Sequence, residues 1–313
     1  MGEYYLDGRS MTRPAIMIGL GEVLWDLLPS GKALGGAPAN FAYMANLLGD
    51  EGVVASRVGN DEAGREVRAA MQKLGLSTSH LQEDTQYPTG MVSVQIDAAG
   101  QPEFKIKDSV SWDCLEWTPA WADLAARADV ICFGSLAQRS PISRATVQRF
   151  LDAAPERTLR IYDVNLRESF YSRELLQESL KHSHIAKLND EELFRVSDLL
   201  GVAPRSEEVR ARGLLVEYGL RLICVTRGAR GSLLVSKDKT VEHRGFNVKV
   251  ADAVGAGDAF TACLAHHYIR GESLDRISES ANRFAAWVAT QIGATPPIHG
   301  TRLQDALDQA VPD

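Results

Sequence analysis

Short apolar runs alternate with amphipathic stretches along most of the chain. The run AIMIGL (15–20) has strand length, and the segment PANFAYMANLLG places Phe41, Met44, Ala45 and Leu48 on one helical face, with Pro38 near its start and Gly49 at its end. GVVASRVG then predicts a strand and EAGREVRAAMQKLG a helix. The runs within 129–136, 159–167, 183–193 and 220–234 continue the pattern, and helices over roughly 256–270 and 274–292 complete it. Such alternation predicts βαβ units and a mostly parallel sheet. One segment breaks it: TGMVSVQIDAAGQPEFKIK (89–107) reads as a β-hairpin turning near Asp97–Gly100, either a lid or an edge extension of the main sheet.

Several apolar runs end in polar residues: Asp163 and Asn165, then Lys187, Asn189 and Glu192, then Thr226, Arg227 and Gly228. In an open parallel sheet, ligands lie beyond the carboxyl ends of the strands, so these endings stand where a substrate would. Strand-terminating turns also attract polar residues. Several such endings together favour a site.

Composition narrows the class. The 313 residues carry a net charge of −7 with both signs interspersed, which argues against a general nucleic-acid binder or a membrane-surface protein. Acidity does not preclude ATP, whose polyphosphate is partly neutralised by Mg²⁺. The four cysteines (Cys114, Cys132, Cys224 and Cys263) form no CxxC pair and read as buried thiols in a reducing cytosol. No apolar run approaches the roughly 20 residues of a membrane span. Residues 1–14, MGEYYLDGRSMTRP, lack the apolar core of a signal peptide and read as a floppy extension, leaving 15–313 as one domain of a cytoplasmic protein.

The candidate chemistry sits in five stretches, each with a plainer rival. In LGGAPAN, Gly35 and Gly36 allow close backbone approach or positive φ, and Asn40 faces out from the first turn of the next helix; an ordinary turn explains as much. Asp26, in GEVLWDLLP, is placed to accept charge-assisted hydrogen bonds from sugar hydroxyls, or is a lone loop acid. Asn189 and Glu192 in KLNDEEL share a helix face and suit the waters of a Mg²⁺ ion, with helix capping as the rival. VTRGARGSLL suits backbone contacts to a phosphate or nucleotide, or a plain hairpin turn. In DAVGAGDAF, Gly255, Ala256 and Gly257 leave room for amides to point at an anion, and Asp258 beside them is either a base for an attacking hydroxyl or a helix N-cap. The cap leaves the two glycines unexplained. There is no GxxxxGK[ST] and no HExxH; in GLGEVL, Leu24 occupies the third glycine's place of a dinucleotide fingerprint. His182/His184 and His266/His267 read as surface or packing residues.

Taken in order, GGAPANFAYMANLLG, RVGNDEAG, DVNLR, KLNDEEL, VTRGARGS, DAVGAGDAF and IGATPP resemble the ribokinase-like (PfkB) carbohydrate kinases from about Ile16 to Pro297, with GEVLWDLLP and GGAPAN most like the fructokinase branch. The resemblance implies a three-layer α/β/α sandwich with a mostly parallel central sheet and a small β lid, its strands inserted at about 24–36 and 88–110. It implies transfer of the γ-phosphoryl of MgATP to a primary hydroxyl of a small sugar, with fructose first. By position, Asp258 matches the family's base and the amides of Gly255, Ala256 and Gly257 its anion hole. Asp26, Gly35, Gly36 and Asn40 fall in the sugar-binding segments, and Arg167 where some relatives contact the acceptor. Asn189 and Glu192 match the NxxE associated with Mg²⁺ and phosphate. Thr226, Gly228 and Gly231 match the nucleotide loop, with Asn282 and Gly293 on its adenine side. Asp252 falls near the loop where many relatives bind a monovalent cation, but Ala253 stands where the family often has Thr, which puts K⁺ activation in doubt. A homodimer paired through the lid is a further implication. Open alternatives are ribose, 2-keto-3-deoxygluconate or a nucleoside as acceptor, a non-catalytic sugar- or nucleotide-binding regulator, and a nicotinamide dehydrogenase.

Overall fold

The computed structural model describes residues 13–28, 31–96, 102–202, 205–298 and 303–311. Residues 1–12 of the expected extension and the expected turn near Asp97–Gly100 lie outside them. The strands among the described residues are, in chain order, β1 (Ile16–Leu20), β2 (Leu24–Leu28), β3 (Gly31–Gly35), β4 (Glu51–Gly59), β5 (Leu81–Asp84), β6 (Gly90–Ile96), β7 (Pro102–Ile106), β8 (Val130–Phe133), β9 (Leu159–Asp163), β10 (Ile185–Asn189), β11 (Leu222–Thr226), β12 (Ser232–Ser236) and β13 (Thr240–His243).

Nine of them form one sheet in the order β13-β12-β11-β10-β9-β8-β1-β4-β5. From β11 to β5 every neighbouring pair is parallel, and β12 alone runs against the others. The side-chain period of two explains why this sheet is covered on both faces. Along β1, β8, β9, β10 and β11, the residues Met17, Cys132, Ile161, Ile185 and Cys224 enter one core, whereas their neighbours Ile18, Ile131, Tyr162, Ala186 and Ile223 enter a second. Helices Ala37–Leu47, Glu62–Lys73, Ala256–Tyr268, Leu274–Ala289 and Leu303–Ala310 pack into the first; Pro119–Arg127, Pro141–Ala153, Arg173–Lys181, Asp190–Leu200 and Glu207–Tyr218 pack into the second. This is a three-layer α/β/α sandwich.

The other four strands form a separate sheet, β3-β2-β6-β7. The hairpin read over 89–107 is the β6–β7 pair, and it does not extend the large sheet's edge. β6 pairs parallel with β2, which is antiparallel to β3, so two segments far apart in sequence make one small sheet beside the large one.

The order of the large sheet positions the site. From β1 the chain goes to β4 on one side and later to β8 on the other, so the strand order reverses between β1 and β8. A crevice beyond the carboxyl ends of the strands at such a reversal is where open α/β sheets bind ligands.

Candidate active site

Four chain segments converge there. Glu22 follows β1, Asp163 ends β9, Lys187 lies near the end of β10, and the Ala256–Tyr268 helix brings Asp258 over them. The helix begins at Gly255, whose φ of 80° is left-handed and whose added Cβ would lie 2.7 Å from the Cα of Ala294. Asp258 is therefore the third residue inside the helix. It is not the N-cap, so capping does not explain it. Helix geometry leaves the first-turn N–H groups, among them those of Gly257 and Asp258, without intrahelical acceptors and adds positive potential. The Ala256 N–H turns back to the Ala253 carbonyl at 3.3 Å, which weakens its expected part in an anion hole.

Asn40 does not face solvent. Its side chain is buried and its Nδ2 donates to Asp258 Oδ2 at 2.8 Å. The Ala37–Leu47 helix starts from Gly36 at φ 108°, and that turn sets Asn40 opposite Asp258. Burial, and then the Asp163 charge, push the Asp258 carboxyl up to about 6, while Asn40, Lys187 and Arg167 pull it down. Behind Asp258, Lys187 Nζ donates to both carboxylate oxygens of Asp163 at 3.1 and 3.2 Å, and Thr261 Oγ1 donates to Asp163 Oδ2 at 2.8 Å. Burial disfavours the Lys187 ammonium, but the charges of Asp163, Glu192 and Asp258 outweigh it and raise its pKa. Lys187 lies directly under the helix mouth, where a Cβ on Gly257 would come within 2.9 Å of Nζ.

On the small-sheet side, Asp26 is partly buried on β2. Burial raises its pKa and the Arg167 charge lowers it. An added Cβ at Gly35 would lie 2.2 Å from Asp26 Oδ2, so only glycine leaves this carboxylate where it is. Gly35→Ala is expected to raise the KM for the acceptor about tenfold, the weight of one charge-assisted hydrogen bond, with the KM for nucleotide unchanged; initial rates with each substrate varied check it. Arg167 is exposed on the loop after β9, which carries two non-glycine residues at positive φ, Asn165 and Glu168. Glu168 Oε1 accepts the Ile106 N–H at 3.0 Å and ties that loop to the small sheet.

Asn189 and Glu192 form the capping box of the Asp190–Leu200 helix. Asn189 Oδ1 accepts the Glu192 N–H at 2.7 Å, and Glu192 Oε2 accepts the Asn189 N–H at 2.8 Å. Glu192 Oε1 also accepts the Leu166 N–H at 2.8 Å. The expected capping is therefore present. Each Glu192 oxygen already has a backbone partner, which suits an ion held through its waters better than a directly bound one. Among the described residues no set of three or more His, Cys, Asp or Glu side chains is arranged to hold a metal.

A cavity of about 1070 Å³ opens beside the helix mouth. Its walls include Thr226, Gly228, Gly231 and Asn282, together with Ala256 and Gly257. VTRGARGSLL forms the expected turn between β11 and β12, and its Thr226, Gly228 and Gly231 line this cavity. Asn282 is fixed by donating to Ser232 Oγ and to the Ser278 carbonyl, both at 2.7 Å. Gly293 is not on the cavity wall; its N–H donates to Asp252 Oδ2 at 3.1 Å, while Asp252 Oδ1 accepts from Val254 N at 3.0 Å. These bonds brace the loop that leads into the helix.

Sequence reasoning left Glu22, Asp163, Lys187 and Thr261 out of the candidate site. Asp163 and Lys187 had been noted as strand endings. The same signal marks Glu22 just after β1, and Thr261 lies one helical turn beyond Asp258.

Residues 30–300 match the family model described as pfkB family carbohydrate kinase. The chain is 32% identical to the fructokinase of Salmonella typhimurium over 260 residues, 78% of this chain and 81% of that protein. It is 30% identical to the sugar kinase PH1459 of Pyrococcus horikoshii over 271 residues, 84% and 83% of the two chains. The crystal structure of PH1459 in complex with ATP superposes with a TM-score of 0.74, covering 90% of this chain and 93% of that one at 28% identity. A double-mutant fructokinase of Vibrio cholerae O395, in a form with fructose, ADP and potassium ion bound, gives 0.76 at 25% identity, covering 97% and 100%.

Proposed function

Because this chain belongs to the pfkB family of carbohydrate kinases, and is thus a phosphotransferase acting on a sugar hydroxyl, we propose that it transfers the γ-phosphoryl group of MgATP to a primary hydroxyl of fructose. One observation carries the reading: Asp258 stands within the first turn of a glycine-led helix, hydrogen-bonded to buried Asn40, with a nucleotide-sized cavity on the helix's other side. Phosphoryl transfer is mostly positioning and electrostatics, and these groups supply both.

In this reading the sugar lies between Asp26 and Asp258 under the small sheet, which acts as a lid. ATP fills the cavity along Thr226, Gly228, Gly231 and Asn282, with its γ-phosphoryl against the first-turn amides. As the sugar oxygen attacks phosphorus, its O–H proton passes to the Asp258 carboxylate, the new O–P bond forms and the bond to the ADP oxygen breaks. Lys187, paired with Asp163, adds positive charge beneath the group in transit, and Arg167 adds it from the acceptor side. Mg²⁺, entering with the nucleotide and held by water to Glu192 and Asn189, would neutralise charge on the phosphates. Potassium is proposed to bind near Asp252, since the Vibrio cholerae fructokinase holds a potassium ion.

The acceptor is tested by ADP release over a panel of fructose, ribose, 2-keto-3-deoxygluconate and nucleosides. Fructose is expected to give the highest kcat/KM; a clear preference for another acceptor would replace it, and no sugar-dependent turnover would end the proposal. A base must be ionised, so kcat/KM is expected to rise with pH through about 6, the value to which Asp258 is pushed. Initial rates measured across that range at saturating magnesium check it.

A further inference from the structure

Arg139 stands shortly past the carboxyl end of β8, and its side chain is only 7% exposed. It grips the segment by which the chain leaves the small sheet. Its Nη2 donates to the Lys107 carbonyl at 2.6 Å and to Asp113 Oδ2 at 2.8 Å, and its Nε donates to Asp113 Oδ1 at 2.8 Å. The guanidinium carbon lies 4.1 Å from the centre of the Trp112 ring and 4.6 Å from that of Phe170. These rings come from different segments. Trp112 follows the small sheet, whereas Phe170 belongs to the loop that carries Arg167.

Both segments hold constrained backbone. Ser109, between Lys107 and Asp113, has a φ of 56°, and Asn165 and Glu168, on either side of Arg167, have φ of 41° and 45°. Non-glycine residues keep such angles only where their surroundings fix them. Here the contacts close a ring. The Ile106 N–H donates to Glu168, the Phe170 N–H donates to the Arg167 carbonyl at 3.1 Å, the Phe170 ring meets Arg139, and Arg139 returns to Lys107 beside Ile106.

Resting on the reading of the small sheet as a lid and of Arg167 as the acceptor-side charge, we infer that Arg139 is a positioning residue: it fastens the exit strand of the lid to the Arg167 loop, so that Arg167 is set against the acceptor when the lid covers it. Arg167 is near enough for its charge to act on both Asp26 and Asp258, so a displaced loop is felt on both sides of the sugar. A buried ion pair often adds no stability over apolar side chains of the same volume, and the worth of the Arg139–Asp113 pair lies in the geometry it fixes. Lysine cannot stand in. Its ammonium lacks both the fork that meets the Asp113 carboxylate and the flat face that meets the rings.

Initial rates with fructose, or the sugar that the panel selects, and with ATP each varied test this, with melting temperatures as a fold check. Arg139→Lys should raise the KM for the sugar about tenfold, the weight of one charge-assisted hydrogen bond, and leave the KM for ATP unchanged. Phe170→Leu, which keeps an apolar side chain and removes the flat face, should shift the same constant in the same direction, and it carries the comparison should Arg139→Lys not fold. Arg167→Ala should raise that constant too. Because Arg139 acts through Arg167, the double variant should show far less than the product of the two single effects. Effects that multiply in full, a KM for ATP that rises equally, or a lower melting temperature with both KM values unchanged would each overturn the inference alone. An Arg167→Ala variant with the wild-type KM for the sugar would overturn the acceptor-side reading of Arg167 and the inference together.

Discussion

Asp258→Asn is expected to lose two to four powers of ten in kcat, roughly the contribution of a positioned general base, while the KM for ATP stays close to that of the wild type. The same variant is expected to be more stable. Burial and the Asp163 charge raise the Asp258 pKa from its ordinary 3.8 to about 6. Between those values the folded protein holds a proton that the unfolded chain has released, so this residue's contribution to stability falls as pH rises through that window. At neutral pH the full cost of keeping the acid ionised is present, and a neutral amide removes it. The gain should be about 1–3 kcal/mol, read by denaturant titration at pH 7. A variant that is both slower and more stable marks a residue kept for chemistry at the expense of the fold. Equal loss of rate and stability would indicate a structural acid instead.

Lys187→Met is expected to produce the largest loss of stability among single changes at the site. Asp163 is buried and ion-paired to Lys187, and Thr261 is its other side-chain donor. Removing one partner of a buried pair leaves the other uncompensated, at a cost of about 3–5 kcal/mol. Denaturant midpoints at neutral pH check it. The variant should also be slow, because the charge under the helix mouth is gone, and adding Asp163→Asn should restore much of the stability without restoring the rate.

The main architecture was legible because its strands are buried on both faces. β1, β8 and β11 read as uninterrupted apolar runs, and Phe41, Met44 and Ala45 mark their helix by period alone. The small edge elements carry weaker signals. β5 has only the residues LQED, and β13 only TVEH; in both, pairing with a neighbouring strand decides the conformation. The β6–β7 hairpin was visible, but its place in a second sheet depends on β2, more than 60 residues upstream of Gly90 in the pairing of Leu24 with Gly90. Such long-range pairing leaves no local mark.

The site divides in the same way. The GAGD stretch gives away its helix mouth because glycine is needed where a helix must start from positive φ. Asp258 as third residue rather than cap was not legible, since the stretch lets the helix start from Gly255 or three residues later. Asn40 read as outward-facing because its helix was known and its partner was not. Glu22 stands in both GLGEVL and GEVLWDLLP and was passed over: its burial and its unpaired Oε2 arise only in the folded chain. Glu192 shows the converse. The capping rival is present, and the box that caps the helix also holds Glu192 toward the Leu166 amide beside the loop bearing Arg167.

The most direct measurement is a crystal structure with fructose and a non-hydrolysable ATP analogue bound. The account predicts the acceptor hydroxyl within hydrogen-bonding reach of the Asp258 carboxylate and the terminal phosphate against the amides of Gly257 and Asp258. A terminal phosphate seated away from that helix mouth, or a sugar whose hydroxyls all lie out of reach of Asp258, would contradict it.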